Sequence, residues 1–174
     1  QRRVMQELIS LSTRLVVMVE RGRQMLQEIY QAPPAKIDLI PHGIPDVGFV
    51  DPTYFKDQFG VEGRVVLLTF GLLSPNKGIE HVLNALPQIL AEFPDVVYIV
   101  LGATHPNELR EHGEAYRLSL EILAKKNKLE KNVIFYNQFV ELENLKEFIG
   151  AADLYITPYL NEAQITSGTL AYTF

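Results

Sequence analysis

The chain has 174 residues, 47% apolar and 21% charged, enough for one domain with a real core and a piece of a second. Its net charge of −5 and pI near 5.4 offer no overall basic footprint for nucleic acid or an anionic membrane surface. It has no cysteine, hence no disulfide framework or thiolate metal site, no apolar run near the roughly 18 residues of a bilayer span, and no opening signal-peptide pattern, so a cytoplasmic protein is expected.

The opening QRRVMQEL reads as the middle of a helix and the closing SGTLAYTF as the first turns of another, so the chain is expected to be a fragment. RLVVMV at 14–19 predicts a short strand, and the spacing of Gln24, Leu26, Ile29 and Tyr30 predicts a helix after it. QAPPAK ends that pattern, because consecutive prolines cannot continue a helix. KIDLI at 36–40 predicts a second strand, and the Pro- and Gly-dense stretch 41–52 reads as a linker or domain boundary.

Past 52 the chain alternates. Strands are predicted at 65–70, 95–102, 132–136 and 153–158, and helices over 78–92, 107–127 and 142–151, with another starting near Ser167. Such alternation implies right-handed crossovers and a parallel sheet covered on both faces, an α/β fold of Rossmann-like type. These sheets bind ligands at the carboxyl ends of their strands, which selects the loops 71–77, 103–106, 137–141 and 158–166 as one rim.

Two of these loops carry chemistry. GLLSPNKG at 71–78 joins a strand to a helix through Gly71 and sets Lys77 beside the helix start, an arrangement that favours an anion. It is neither a P-loop nor a GxGxxG fingerprint, and its plainer reading is an ordinary turn with a solvated lysine. YLNEAQITSG at 159–168 places Glu162 alone among neutral residues, followed by Thr166, Ser167, Gly168 and Thr169 where a helix begins. A carboxylate can accept hydrogen bonds from vicinal sugar hydroxyls and helix-start amides can hold phosphate; the plainer reading is an N-cap. His42, His81, His105 and His112 lack ligand spacing, so no metal is expected. Glu108, Glu111 and Glu114 read as a solvated helix face.

With both loops in hand, the chain resembles the retaining glycosyltransferases of family four, the glycosyl transferases group 1, and looks like the C-terminal half of their GT-B fold. VVLLTFGLLSPNKGIEHVLNALPQI resembles the family's first strand and GRLxxxKG loop, DVVYIVLG its second strand, and NVIFYNQFVELENLKEFIGAADLYITPYLNEAQITSGTLAY its base-binding loop, helix and donor loop. KIDLIPHGIP resembles the interdomain linker. The resemblance implies that 1–40 end an N-terminal acceptor domain, 41–52 link, and 53–174 form a truncated nucleotide-sugar-binding domain.

It also implies roles. Lys77 neutralises the donor diphosphate, with Gly71 and Leu72 in the same loop, and Glu162 holds hydroxyls of the transferred sugar. Backbone amides across Gln164, Ile165, Thr166 and Ser167, with Gly168 following, contact sugar and phosphates, while the Phe139 and Val140 backbone reads the base edge. Two positions depart from the pattern: Leu72 stands where the family places an arginine, and Leu170 where a second glutamate binds ribose.

The expected function is retaining transfer of a hexose from a UDP- or GDP-linked donor to a glycan or lipid-linked acceptor, with no metal and no nucleic-acid partner. This chain would supply the donor-binding part and be inactive alone, with any peripheral membrane association arising from parts outside it. The alternatives are a non-catalytic nucleotide-binding or interaction module on the same fold and a sugar-nucleotide epimerase.

Overall fold

The structure, a computed structural model, describes residues 2–44, 51–161, 164–165 and 167–173. They fall into two compact units, one drawn from Gln1–Pro45 and Ala163–Tyr172, the other from Asp46–Glu162.

The first unit opens with α1 (Arg2–Leu11), β1 (Leu15–Val17), α2 (Glu20–Glu28) and β2 (Ile37–Leu39), near where the sequence pattern predicts them, although α2 ends before Ile29 and Tyr30. The strands pair in parallel with Leu15 opposite Ile37, and Ile9, Leu15, Ala32 and Ile37 close a small core. Lys36 Nζ donates to the carbonyls of Ile9 and Ser12, at 3.0 and 2.9 Å, satisfying acceptors at the end of α1 with a charge that suits its dipole.

Of the expected linker, residues 45–50 lie outside the described residues. Its last two residues begin a helix that the pattern did not predict, α3 (Pro52–Gln58). Asp51 caps it by accepting the Thr53 amide at 2.9 Å, and Pro52 occupies the first helical position, where its missing N–H costs nothing.

The second unit continues with β3 (Val65–Phe70), α4 (Ile79–Glu92), β4 (Val96–Leu101), α5 (Pro106–His112), α6 (Ala115–Lys126), β5 (Val133–Tyr136), α7 (Leu142–Ala151) and β6 (Leu154–Tyr155). All four strands are parallel, in the order β5-β4-β3-β6, with Leu67 opposite Tyr98 and Leu154. Leu67, Tyr98 and Val100 face α4 and α6, where Ile79, Leu83, Leu86 and Leu120 are buried against them. Helices α3 and α7 pack together, the Phe59 and Phe148 rings stacking at 4.3 Å. A short α8 (Gly168–Ala171), capped by Ser167, belongs to the first unit.

Two predicted elements are corrected. The helix expected over 107–127 is two, because Gly113 adopts φ 61° and ψ −138°, a conformation that ends α5 and that a side chain would strain. The strand expected over 153–158 pairs only at Leu154 and Tyr155. Beyond them the Ile156 amide still reaches the Leu68 carbonyl at 2.8 Å, but the Ile156 carbonyl is taken by the Thr69 hydroxyl at 2.7 Å, and Pro158 has no N–H to offer.

Helix α4 runs through Pro87 without stopping. A proline there cannot donate to the carbonyl four residues back, and that acceptor, Leu83 O, is taken instead by Asn127 Nδ2 at 3.0 Å. Asn127→Ala leaves this carbonyl without its donor, beside a Leu83 that is fully buried. It is expected to cost about 1–3 kcal/mol in urea unfolding, with the slope of the transition unchanged.

Candidate functional site

The strand order places the candidate site. From β3 the chain crosses to β4 and then β5 on one side, and returns to lay β6 on the other side of β3. The reversal makes β3 and β6 the topological switch point of this sheet, and open parallel sheets bind their ligands beyond the carboxyl ends of the strands at such a point.

The loop leaving β3 starts at Gly71, whose amide donates to Leu101 O at 3.0 Å. Leu73 then inserts into the core, 1% exposed, and bridges to Thr104: its amide reaches Ala103 O and its carbonyl accepts the His105 amide, both at 2.8 Å. Leu72, half-buried, precedes this anchor. A 3-10 turn at Pro75–Lys77 follows, closed by the Lys77 amide on Ser74 O at 2.9 Å and the Gly78 amide on Pro75 O at 3.1 Å.

The segment leaving β6 lies against that turn. Leu160 N donates to Asn76 O at 3.0 Å, and the Pro158 carbonyl sits so close to Gly78 that a Cβ there would overlap it. Lys77, half-buried, donates from Nζ to the Tyr159 hydroxyl at 2.8 Å, with its nitrogen 4.1 Å from the centre of the Tyr159 ring. The Tyr155 and Tyr159 hydroxyls are 3.3 Å apart, and the Tyr155 ring packs against Phe70 at 5.0 Å.

Beneath this rim the sheet is pinned by the buried Tyr98, whose hydroxyl donates to Thr69 Oγ1 at 2.8 Å; burial pushes the phenol pKa up, so it stays a neutral donor. Beside it, Glu114 accepts the Thr104 hydroxyl at 2.5 Å and Arg117 Nε at 2.8 Å, and both hold its carboxyl below the ordinary carboxylate range. Glu114 is therefore tied to the loop after β4, a correction to its reading as part of a solvated face. Arg117 continues to Glu121 at 2.6 Å, and Glu121 accepts Asn137 Nδ2 at 3.1 Å, so this network joins the loops after β4 and β5.

The residues singled out in the sequence are placed as follows. Gly71, Leu72 and Lys77 lie in the loop after β3; Phe139, 72% exposed, and the half-buried Val140 follow β5 at the edge of the sheet. Glu162 and Thr166 lie outside the described residues. Gln164 and Ile165 are exposed within the first unit, where Ser167 caps α8 by accepting the Leu170 amide at 3.2 Å and Gly168 begins the helix beside His42. Sequence reasoning missed Tyr159 and Thr104; the available signal was position, since Tyr159 directly follows the proline that ends its strand and Thr104 falls in the 103–106 loop. Among the described residues no three His, Asp or Glu side chains are grouped as metal ligands, and no helix is long and apolar enough to cross a membrane.

Residues 51–164 match the family model described as glycosyl transferases group 1. A phosphatidyl-myo-inositol mannosyltransferase of Mycolicibacterium smegmatis is 39% identical over 72 residues, which cover 41% of this chain and 18% of that protein. In fold the chain is similar to HepE of Anabaena, solved in complex with UDP, with TM-score 0.73 and 18% identity over 92% of this chain and 43% of HepE. It is likewise similar to sucrose-phosphate synthase of Thermosynechococcus elongatus, with TM-score 0.70 and 22% identity over 94% of this chain and 39% of the other. The chain thus spans less than half the length of these proteins.

Proposed function

Because the chain belongs to the glycosyl transferases group 1 family, we propose that it supplies the donor-binding half of a retaining hexosyltransferase. The reaction moves a hexose from a nucleoside diphosphate sugar to a glycan or lipid-linked acceptor. The bond from the anomeric carbon to the diphosphate breaks, the acceptor oxygen bonds to the same carbon with its configuration kept, and the acceptor proton is lost. Negative charge grows on the departing diphosphate, so a cation fixed beside it stabilises the transition state more than the ground state.

The observation that carries this reading is Lys77 at the β3/β6 switch point, held at 2.8 Å by a residue of the neighbouring loop. In this reading Lys77 meets the diphosphate and Glu162 the sugar hydroxyls. The amides from Gln164 to Ser167 meet sugar and phosphate, and the Phe139 and Val140 backbone meets the base. No metal is required where these groups supply the charge. The complete protein acts in the cytoplasm, and the 174 residues alone bind nucleotide weakly without turnover.

UDP, GDP, ADP and their sugars, screened against the complete protein by thermal shift, test the reading. A ligand that binds only the native state at a hundred times its Kd adds about 2.7 kcal/mol and raises Tm. One base series is expected to raise Tm and the other two not; no shift with any of them contradicts the proposal.

A further inference from the structure

The contact between Lys77 and Tyr159 is built from the core outward. Phe70, 4% exposed, ends β3 and packs on Tyr155; the Tyr155 hydroxyl lies 3.3 Å from that of Tyr159; and the Tyr159 hydroxyl accepts Lys77 Nζ at 2.8 Å. The backbones on both sides are also fixed, that of Lys77 by its 3-10 turn and that of Tyr159 by Leu160 N, which donates to Asn76 O of that turn at 3.0 Å. A lysine on a free surface samples many rotamers and loses side-chain entropy when a ligand fixes it. Here both the ring and the hydroxyl of Tyr159 hold the cation, so part of that loss is already met before any ligand arrives.

The contact also leaves the ammonium able to act. It carries three N–H donors, and Tyr159 accepts one of them, so two can serve an anion. The residue after Gly71 is Leu72, an apolar side chain, so Lys77 is the cation that this loop presents.

We propose that Tyr159 is a positioning residue for Lys77: it holds the ammonium at the switch point, so that recognition of the second phosphate of a nucleoside diphosphate depends on both residues. The inference rests on the donor-site reading and goes beyond it by assigning diphosphate selection to a side chain outside the residues already given roles. Tyr159→Phe keeps the ring and removes the hydroxyl; Tyr159→Leu removes both.

The test is calorimetric titration of the complete protein with UDP and UMP, and with GDP and GMP in parallel. It is run on the wild type, Tyr159→Phe, Tyr159→Leu, Lys77→Ala and the Lys77→Ala/Tyr159→Phe double variant. The readout is the preference for diphosphate over monophosphate, since a loss of scaffold alone weakens both ligands together. The preference is expected to fall about threefold in Tyr159→Phe and roughly tenfold in Tyr159→Leu, approaching Lys77→Ala. In the Lys77→Ala background Tyr159→Phe is expected to change nothing further, because the two act as one unit. An unchanged preference, or equal weakening of both ligands, overturns the role of Tyr159 while leaving the donor site standing. A wild type that binds none of the four nucleotides overturns the donor-site reading, and this proposal with it.

Discussion

Lys77→Ala in the complete protein is expected, on the proposed role, to lower kcat about 10²–10³-fold, the range seen when one preorganised group facing a developing charge is removed. Lys77 lies in the loop after β3, beyond the carboxyl end of a strand whose last five residues are buried. The side chain is half-buried and makes its hydrogen bond at the rim, so truncation opens no cavity in the core, and Tm is expected to stay within about 2 °C. A ground-state effect would raise KM and spare kcat, whereas a charge needed as the diphosphate departs lowers kcat itself. Initial-rate measurements with the donor found by thermal shift separate the two. A kcat within about threefold of wild type, under 1 kcal/mol, would remove Lys77 from the leaving group.

Much of the fold was legible because its elements differ in local pattern. VVLLTF is an unbroken apolar run and became β3 at the predicted residues, while Leu142–Ala151 became α7 without change. Ile79, Val82, Leu83 and Leu86 recur at helical spacing and are buried on one side of α4. What the pattern hid was set by single residues. Asp51-Pro52 is a helix start in its own right, obscured by the Pro- and Gly-rich stretch before it. Gly113 sits inside a run of good helix formers, and the tether from Thr104 to Glu114 accompanies the break, a contact across ten residues that no periodicity expresses.

The candidate site divides in the same way. Lys77 was legible because glycine, lysine and helix start are adjacent in the sequence. Its partner was not, because the two are 82 positions apart and meet only once β6 is laid beside β3. The rule that ligands gather at strand ends named the loop containing Tyr159, but strand order decides which loops touch. A local reading saw Leu72 where an arginine was expected; only the folded chain offers Tyr159 as a support for the remaining cation.

Gly78→Ala is expected to be strongly damaging for a single methyl group. The backbone there has φ 62° and ψ 25°, which a side chain adopts at a cost of about 1 kcal/mol. The new Cβ would also overlap the Pro158 carbonyl, a backbone atom that cannot step aside by changing rotamer. The loop after β6 must then move off the 3-10 turn, straining the bond from Leu160 N to Asn76 O and carrying Tyr159 away from Lys77. Together these are expected to cost about 2–4 kcal/mol, lowering Tm by roughly 5–15 °C for a chain of this size. Gly43→Ala is the control, since a Cβ at that position meets nothing within 4 Å, and its Tm is expected to match wild type. The functional consequence is separable from the loss of stability. At a temperature where Gly78→Ala remains folded, its preference for nucleoside diphosphate over monophosphate should fall to the level of Tyr159→Leu, because both changes remove the same support from Lys77. A folded Gly78→Ala protein with an unaltered preference would mean that the close packing of these two loops stabilises the sheet edge without orienting the lysine.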